Sequence, residues 1–86
     1  MDTLAEGIAA YETQDYTKAY ELLYPLGAYK RDAEAQFYLG MIYFYGEGVE
    51  KDIPQAMEWW KKAMRSGHTD AAYRLSEISI STKTTF

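Results

Sequence analysis

Two short patterns occur twice in the chain, 36 or 37 residues apart, and this repetition constrains the fold more than any other feature. Asp-x-x-Lys-Ala at 15–19 realigns with Asp-x-x-Gln-Ala at 52–56, and Ala-Gln-Phe-Tyr-Leu-Gly at 35–40 realigns with Ala-Ala-Tyr-Arg-Leu-Ser at 71–76. Self-similarity at a period of about 20–50 residues is typical of repeat proteins, whose units each bury an apolar face against a neighbour. The pattern therefore predicts a stack of similar units.

Residues that start and stop helices divide the chain into five predicted helices. Thr3 with Glu6 has the form of a capping box, and three aspartates are good N-caps. We expect Pro25 to bend or end the second helix, with Gly27 as its stop signal. The N-capping aspartates are Asp15, Asp32 and Asp52. The predicted helices cover residues 3–13, 16–26, 33–45, the stretch from Asp52 to just before Gly67, and 69–80.

These boundaries predict one domain, residues 1–80, built from two helical hairpins and one further helix. The first hairpin is residues 3–27 and the second is residues 32–67, and the helix at 69–80 would cap the open end of the stack. Residues 81–86 have no apolar periodicity, so we expect them to form a flexible tail.

Composition excludes several classes of function. The 86 residues contain no cysteine, which rules out disulfides, thiolate zinc sites and a cysteine nucleophile. The net charge of −4 argues against binding to a phosphate backbone, which requires a basic face. No segment has the ~18 apolar residues of a membrane span, and the first residues lack a signal-peptide pattern. We therefore expect no nucleic-acid or membrane partner, and a cytoplasmic location.

Residues 33–67 carry the most specific motif. The pattern A-x-x-x-L-G-x-x-Y-x-x-G-x-G-V-x-x-D-x-x-x-A-x-x-W-x-x-x-A-x-x-G resembles that of the Sel-1-like repeat family, a branch of the tetratricopeptide-like helical repeats. The matching residues are Ala35, Leu39, Gly40, Tyr43, Gly46, Gly48, Val49, Asp52, Ala56, Trp59, Ala63 and Gly67. The resemblance implies an all-α solenoid of about two and a half repeats and five helices, stacked as a right-handed superhelix.

The small residues in this motif have a direct physical reading. Gly40 and Ala56 carry almost no side chain, so two antiparallel helices can approach closely there. We expect Leu39, Gly40 and Tyr43 to face the partner helix, while Trp59 and Trp60 fill the seam between this hairpin and its neighbours. If Trp59 is buried, truncating it would cost roughly 3–5 kcal/mol.

No residue pattern predicts catalysis, a metal site or a cofactor. His68 follows Gly67 without an acidic or nucleophilic partner at a recognisable spacing, so we read it as an exposed turn residue. Gly46-Glu47-Gly48 lacks the Lys-Ser/Thr ending of a phosphate loop, and Ser-x-x-Lys does not occur. The sequence therefore favours a protein that is not an enzyme.

The remaining candidate site is a surface. The resemblance implies that the first helix of each pair lines a concave face, so side chains turned away from the hairpin seam would form an apolar, aromatic strip there. The predicted partner-binding residues are Ile8, Tyr11, Phe37, Met41, Phe44, Tyr73 and Glu77, with Leu4 and Ile80 in equivalent positions. Acidic rims would come from Glu12, Glu34, Asp70 and Glu77. For Leu4, Ile8 and Phe37 the alternative is packing between adjacent first helices.

Three functions fit this sequence. The first is a protein-interaction module that holds a peptide or helix of a partner protein on the concave face. The second is a small immunity or inhibitor-type protein that blocks a toxin or enzyme. The third is a structural homo-oligomer, such as a dimer formed through the exposed ends of the repeat stack.

Overall fold

The structure, a computed structural model, describes residues 2–83, with side chains from 2 to 78. This part of the chain forms five helices and no strand, which confirms the predicted all-α solenoid of about two and a half repeats. In chain order the helices are α1 (Thr3–Glu12), α2 (Tyr16–Ala28), α3 (Ala33–Tyr45), α4 (Ile53–Arg65) and α5 (Thr69–Lys83).

Aspartate side chains cap the N-termini of four of the helices. Asp15, Asp32 and Asp52 each accept a hydrogen bond from the backbone N–H three residues later, at 3.3, 3.0 and 3.1 Å. These three predicted caps are confirmed. The cap of α1 is Asp2, whose carboxylate accepts from the Leu4 N–H, so the prediction of Thr3 was wrong. Aspartate is preferred over threonine at the N-cap position, so Asp2 is the cap and Thr3 is the first residue of the helix.

The end of α2 also differs from the prediction. Pro25 lies inside the helix, and Gly27 is buried rather than being the stop residue, since α2 continues to Ala28. A Cβ on Gly27 would lie 2.8 Å from Cδ1 of Leu39, so its lack of a side chain lets α2 pack directly on α3. This contact offsets the backbone bond that Pro25 removes.

The last helix continues past its predicted end at Ile80. α5 reaches Lys83, so residues 81–83 are helical, while the flexibility of this segment stays a prediction. The segment contains no glycine or proline to stop a helix, and its serines and threonines are only moderately poor helix formers. The part of the tail prediction that concerns residues 84–86 lies outside the described residues.

The helices pack as two hairpins, α1 with α2 and α3 with α4, while α3 also packs on α2 and α5 packs on α4. Each hairpin has a glycine at its closest approach. A Cβ on Gly7 would collide with Leu23, and one on Gly40 would collide with the indole of Trp60. Ala19 and Ala56, at equivalent places in the second helices, are fully buried. The predicted role of Gly40 and Ala56 in close packing is thus confirmed.

Two apolar clusters form the core. The larger joins the first hairpin to one side of the second and includes Leu23, Leu39, Ile42 and Trp59. The smaller lies on the other side of α4, where Trp60 and Ala63 pack against Ala71 of α5. The adjacent residues Trp59 and Trp60 therefore belong to different clusters.

Candidate functional site

A continuous line of aromatic rings crosses α1, α3 and the turn before α5. Tyr11 contacts Tyr38 edge to face with ring centroids 5.2 Å apart, and Tyr38 contacts Phe37 in the same way at 5.5 Å. Phe37 then stacks on His68 at 4.7 Å. We call Tyr11, Tyr38, Phe37 and His68 the aromatic row. It brings the predicted residues Tyr11 and Phe37 together through Tyr38, which the sequence prediction missed.

His68 is not the exposed turn residue that the sequence predicted. Its Nδ1 accepts a hydrogen bond from the backbone N–H of Ala71, which satisfies a free donor in the first turn of α5. Its Nε2 therefore carries a proton and donates to Oε1 of Glu34. With its ring stacked on Phe37, His68 joins α3 to the start of α5.

Acidic side chains surround the middle of the aromatic row. Burial raises the pKa of the Tyr38 phenol, and the carboxylates of Glu34, Glu12 and Asp70 raise it further because they disfavour a second negative charge nearby. All three carboxylates are exposed. The row is therefore an aromatic surface in a negative electrostatic environment.

A shallow pocket of about 450 Å³ lies between α3 and α5 at one end of the row. It is lined by the predicted residues Phe37, Tyr73 and Glu77, together with Asp70 and Arg74. Tyr73 is 64% exposed, so most of its side chain is accessible at this pocket. Three of the predicted residues therefore share one concave surface.

The other predicted residues have packing roles as well. Met41 and Phe44 are half-buried against the cluster around Trp60, and Ile8 is half-buried on α1. The hydroxyl of Tyr11 donates to Oε1 of Glu47 at 2.9 Å, and burial together with this bond raises the pKa of Tyr11. A role for these four residues in binding stays a prediction, and the Ile80 side chain lies outside those that the structure describes.

A second concave surface lies on the other side of α3, between α2 and α4. This cleft of about 660 Å³, which we call the α2–α4 cleft, has aromatic and basic walls. The hydroxyls of Tyr20 and Tyr43 are hydrogen-bonded at 2.8 Å. The pKa of Tyr20 is raised to about 12, mainly by burial and secondly by this hydrogen bond. The lining residues are Tyr20, Tyr24, Gly27, Ala28, Arg31, Gln36, Tyr43, Gln55, Trp59, Lys62, Arg65 and Ser66.

The sequence prediction missed this cleft because its residues come from three helices and the segments that follow two of them. One signal was available: Trp59, Lys62 and Arg65 recur at three-residue steps and so lie along one face of α4. Lys62 indeed lies over the Trp59 ring, with its Nζ 5.8 Å from the ring centroid.

The described residues offer little for other kinds of site. Across residues 2–83, no group of three or more histidines, aspartates or glutamates is placed to hold a metal ion. No helix in that part of the chain has both the length and the apolar character needed to cross a membrane. The two concave surfaces are therefore the candidate sites.

Comparison with known proteins gives one match. The family model described as Sel1 repeat matches residues 4–25 and 33–68, which together make up more than half of the chain. The two matched segments coincide with the α1–α2 and α3–α4 hairpins. No curated protein and no solved structure matches the chain.

Proposed function

Because the chain belongs to the Sel1 repeat family, whose repeats generally mediate protein–protein interaction, we propose that it binds a helix or peptide of a partner protein. The family is a scaffold type that is not typically enzymatic. The proposed surface is that of α1, α3 and α5. The observation that supports it best is the aromatic row, which runs continuously from α1 across α3 to the turn before α5 and has an acidic rim.

The chemistry of this surface indicates what kind of partner it fits. Aromatic rings provide apolar contact area with little loss of side-chain freedom, and their faces also attract cations. The carboxylates of Glu12, Glu34 and Asp70 favour a positive partner and disfavour a negative one. We therefore propose an amphipathic helix or extended peptide with apolar residues at its centre and lysine or arginine at its edges.

The test is an affinity capture from the source cells with three forms of the protein, followed by mass spectrometry. The site variant combines Glu12→Lys, Tyr73→Ala and Glu77→Lys, which change only exposed side chains. The control variant combines Glu21→Lys and Glu50→Lys, which cause the same change in charge at exposed positions outside the proposed surface. Circular dichroism melting curves check that all three forms are folded.

We expect a partner that the wild-type protein and the control variant both capture and that the site variant loses. Its binding segment should be basic and amphipathic. A partner that all three forms capture equally would place the binding surface elsewhere and contradict the proposal.

A further inference from the structure

The α2–α4 cleft buries two polar atoms that have no hydrogen-bond partner among the described residues. Gln36 is 3% exposed and donates from Nε2 to the carbonyl of Gly27 at 3.0 Å, but its Oε1 accepts nothing. Trp59 is 7% exposed, and its Nε1 donates to nothing. Both side chains line the cleft. Since buried polar groups in proteins are nearly always satisfied, each of these two atoms calls for a partner from outside the described side chains.

The charges around the cleft point to the same conclusion. Arg31, Lys62 and Arg65 line it, and none of its lining residues is acidic, although the whole chain has a net charge of −4. Within the side chains described, residues 2–78, none of these three cations forms an ion pair. Unpaired cations gathered at one concave surface attract an anionic group.

The backbone at Arg31 supports a role for its side chain. Arg31 has a φ of 56°, a left-handed conformation that costs a residue with a Cβ about 1–2 kcal/mol. Glycine or asparagine would be expected in this turn between α2 and α3. The arginine therefore occupies a strained position while its side chain lines the cleft.

We propose that the α2–α4 cleft binds an acidic peptide segment in an extended conformation. A peptide backbone offers an N–H for Oε1 of Gln36 and a C=O for Nε1 of Trp59. Both atoms are enclosed by the protein, so the walls of the cleft must move apart to admit these two contacts. Aspartate or glutamate side chains on the same segment would pair with Lys62, Arg65 and Arg31. An inorganic anion such as sulfate offers only acceptors and would leave Gln36 unsatisfied. This site is independent of the surface proposed above and takes a ligand of opposite charge.

The test uses a fluorescein-labelled octapeptide of alternating glutamate and alanine, titrated with the full chain and followed by fluorescence anisotropy. The site variant is Lys62→Gln with Arg65→Gln, and the control variant is Lys18→Gln with Lys30→Gln. All four side chains are exposed, and neither control residue lines the cleft. We expect the site variant to bind about tenfold more weakly, because it loses two charged contacts, and the control variant to bind like the wild type.

Two further variants test the third cation of the cleft and the separation of the two proposed sites. Arg31→Asn removes a cation while keeping a residue that tolerates the left-handed backbone, so the variant should stay folded and bind several-fold more weakly. The Glu12→Lys, Tyr73→Ala, Glu77→Lys variant should bind this peptide at least as well as the wild type, which separates this site from the one proposed above.

Three results would overturn the proposal. The first is an equal loss of binding in the site and control variants, which would show non-specific attraction to positive charge. The second is equal binding of a peptide with glutamine in place of glutamate. The third is full displacement of the peptide by sulfate at the same concentration, which would make the cleft an inorganic anion site.

Discussion

Trp59 and Trp60 are neighbours on α4, but within the described part of the chain only one of their indole N–H groups has a hydrogen-bond partner. The Trp60 indole is 1% exposed, packs against Gly40, and donates from Nε1 to the carbonyl of Phe37 at 3.0 Å. Trp59 is also buried and its side chain lines the α2–α4 cleft, but its Nε1 has no hydrogen-bond partner among the described residues. The Trp60 indole is therefore fully satisfied in its packing, whereas the Trp59 indole keeps a buried donor without a partner in this part of the chain.

With the proposed binding site in the α2–α4 cleft, one helix would serve both packing and recognition. Trp60 fixes the hairpin and supports α5, whose Ala71 lies in the same cluster. Trp59 contacts Tyr24 of α2 edge to face and thereby forms one wall of the cleft. Changes at Trp60 should therefore affect stability, whereas changes at Trp59, which belongs to the larger core cluster, should affect both stability and the proposed binding.

The largest effect is expected for Trp60→Ala. Removing this indole leaves a cavity beside Gly40 and separates α5 from the hairpin, so the free energy of unfolding should fall by about 3–5 kcal/mol. Urea denaturation followed by circular dichroism would measure the loss. A decrease in the free energy of unfolding of less than about 1 kcal/mol would show that Trp60 contributes little to the stability of the fold.

The next largest effect is the loss of stability when the glycine of each hairpin is replaced by alanine. At Gly40 an added Cβ meets a flat indole held by a hydrogen bond, so Gly40→Ala should cost about 1–3 kcal/mol. At Gly7 the obstacle is Leu23, whose side chain can change rotamer, and alanine gains helix propensity, so Gly7→Ala should cost less. Equal losses in urea denaturation would mean that Trp60 is no more rigid than Leu23.

Phenylalanine substitutions sharpen the comparison between the two indoles. Trp60→Phe removes the bond to Phe37, whereas Trp59→Phe removes a donor that has no partner. We expect Trp60→Phe to be less stable than Trp59→Phe by about 1 kcal/mol, the usual contribution of a hydrogen bond. Thermal melting of both variants would check the order, and the reverse order would contradict the assignment of the two sides.

The smallest effect is the contribution of Tyr20, which lines the α2–α4 cleft, to the stability of the protein at high pH. The pKa of Tyr20 is raised from 10.0 to about 12, so between these values the folded protein keeps a proton that the unfolded chain has lost. The contribution of Tyr20 to stability is therefore complete below pH 10 and disappears as the pH rises towards 12.

Tyr20→Phe should make this alkaline loss of stability shallower, and at neutral pH it should cost about 0.5–1.5 kcal/mol through the bond to Tyr43. Urea denaturation at a series of pH values would measure both effects. Tyr29→Phe removes a hydroxyl from a side chain that is 77% exposed, and it serves as the control. An unchanged slope in Tyr20→Phe would contradict the raised pKa of Tyr20.

Most helix boundaries could be predicted from the sequence, because they depend on contacts between residues that are close in the chain. Asp15, Asp32 and Asp52 cap helices by bonds within three residues, and Gly46 ends α3 with a φ of 68° that few other residues adopt. The end of α2 could not be predicted, because the local effect of Pro25 competes with a tertiary contact at Gly27.

The candidate sites depend on contacts across helices, so the sequence showed them only in part. Spacing on α3 and α5 placed Phe37, Tyr73 and Glu77 on one surface, but it could not show that His68 continues the aromatic row. Spacing on α4 could not separate the functions of Trp59 and Trp60, because which of two adjacent indoles finds a partner depends on the neighbouring helix.

The most direct test of the division between the two sides of α4 is a ¹⁵N–¹H correlation spectrum recorded while the glutamate–alanine octapeptide is added. The chain contains only two tryptophans, so it gives two indole N–H signals, and Trp59→Phe assigns them. We predict that the Trp59 signal moves downfield and saturates as its Nε1 gains an acceptor, while the Trp60 signal stays in place. Movement of the Trp60 signal, or no movement of either signal, would contradict this division.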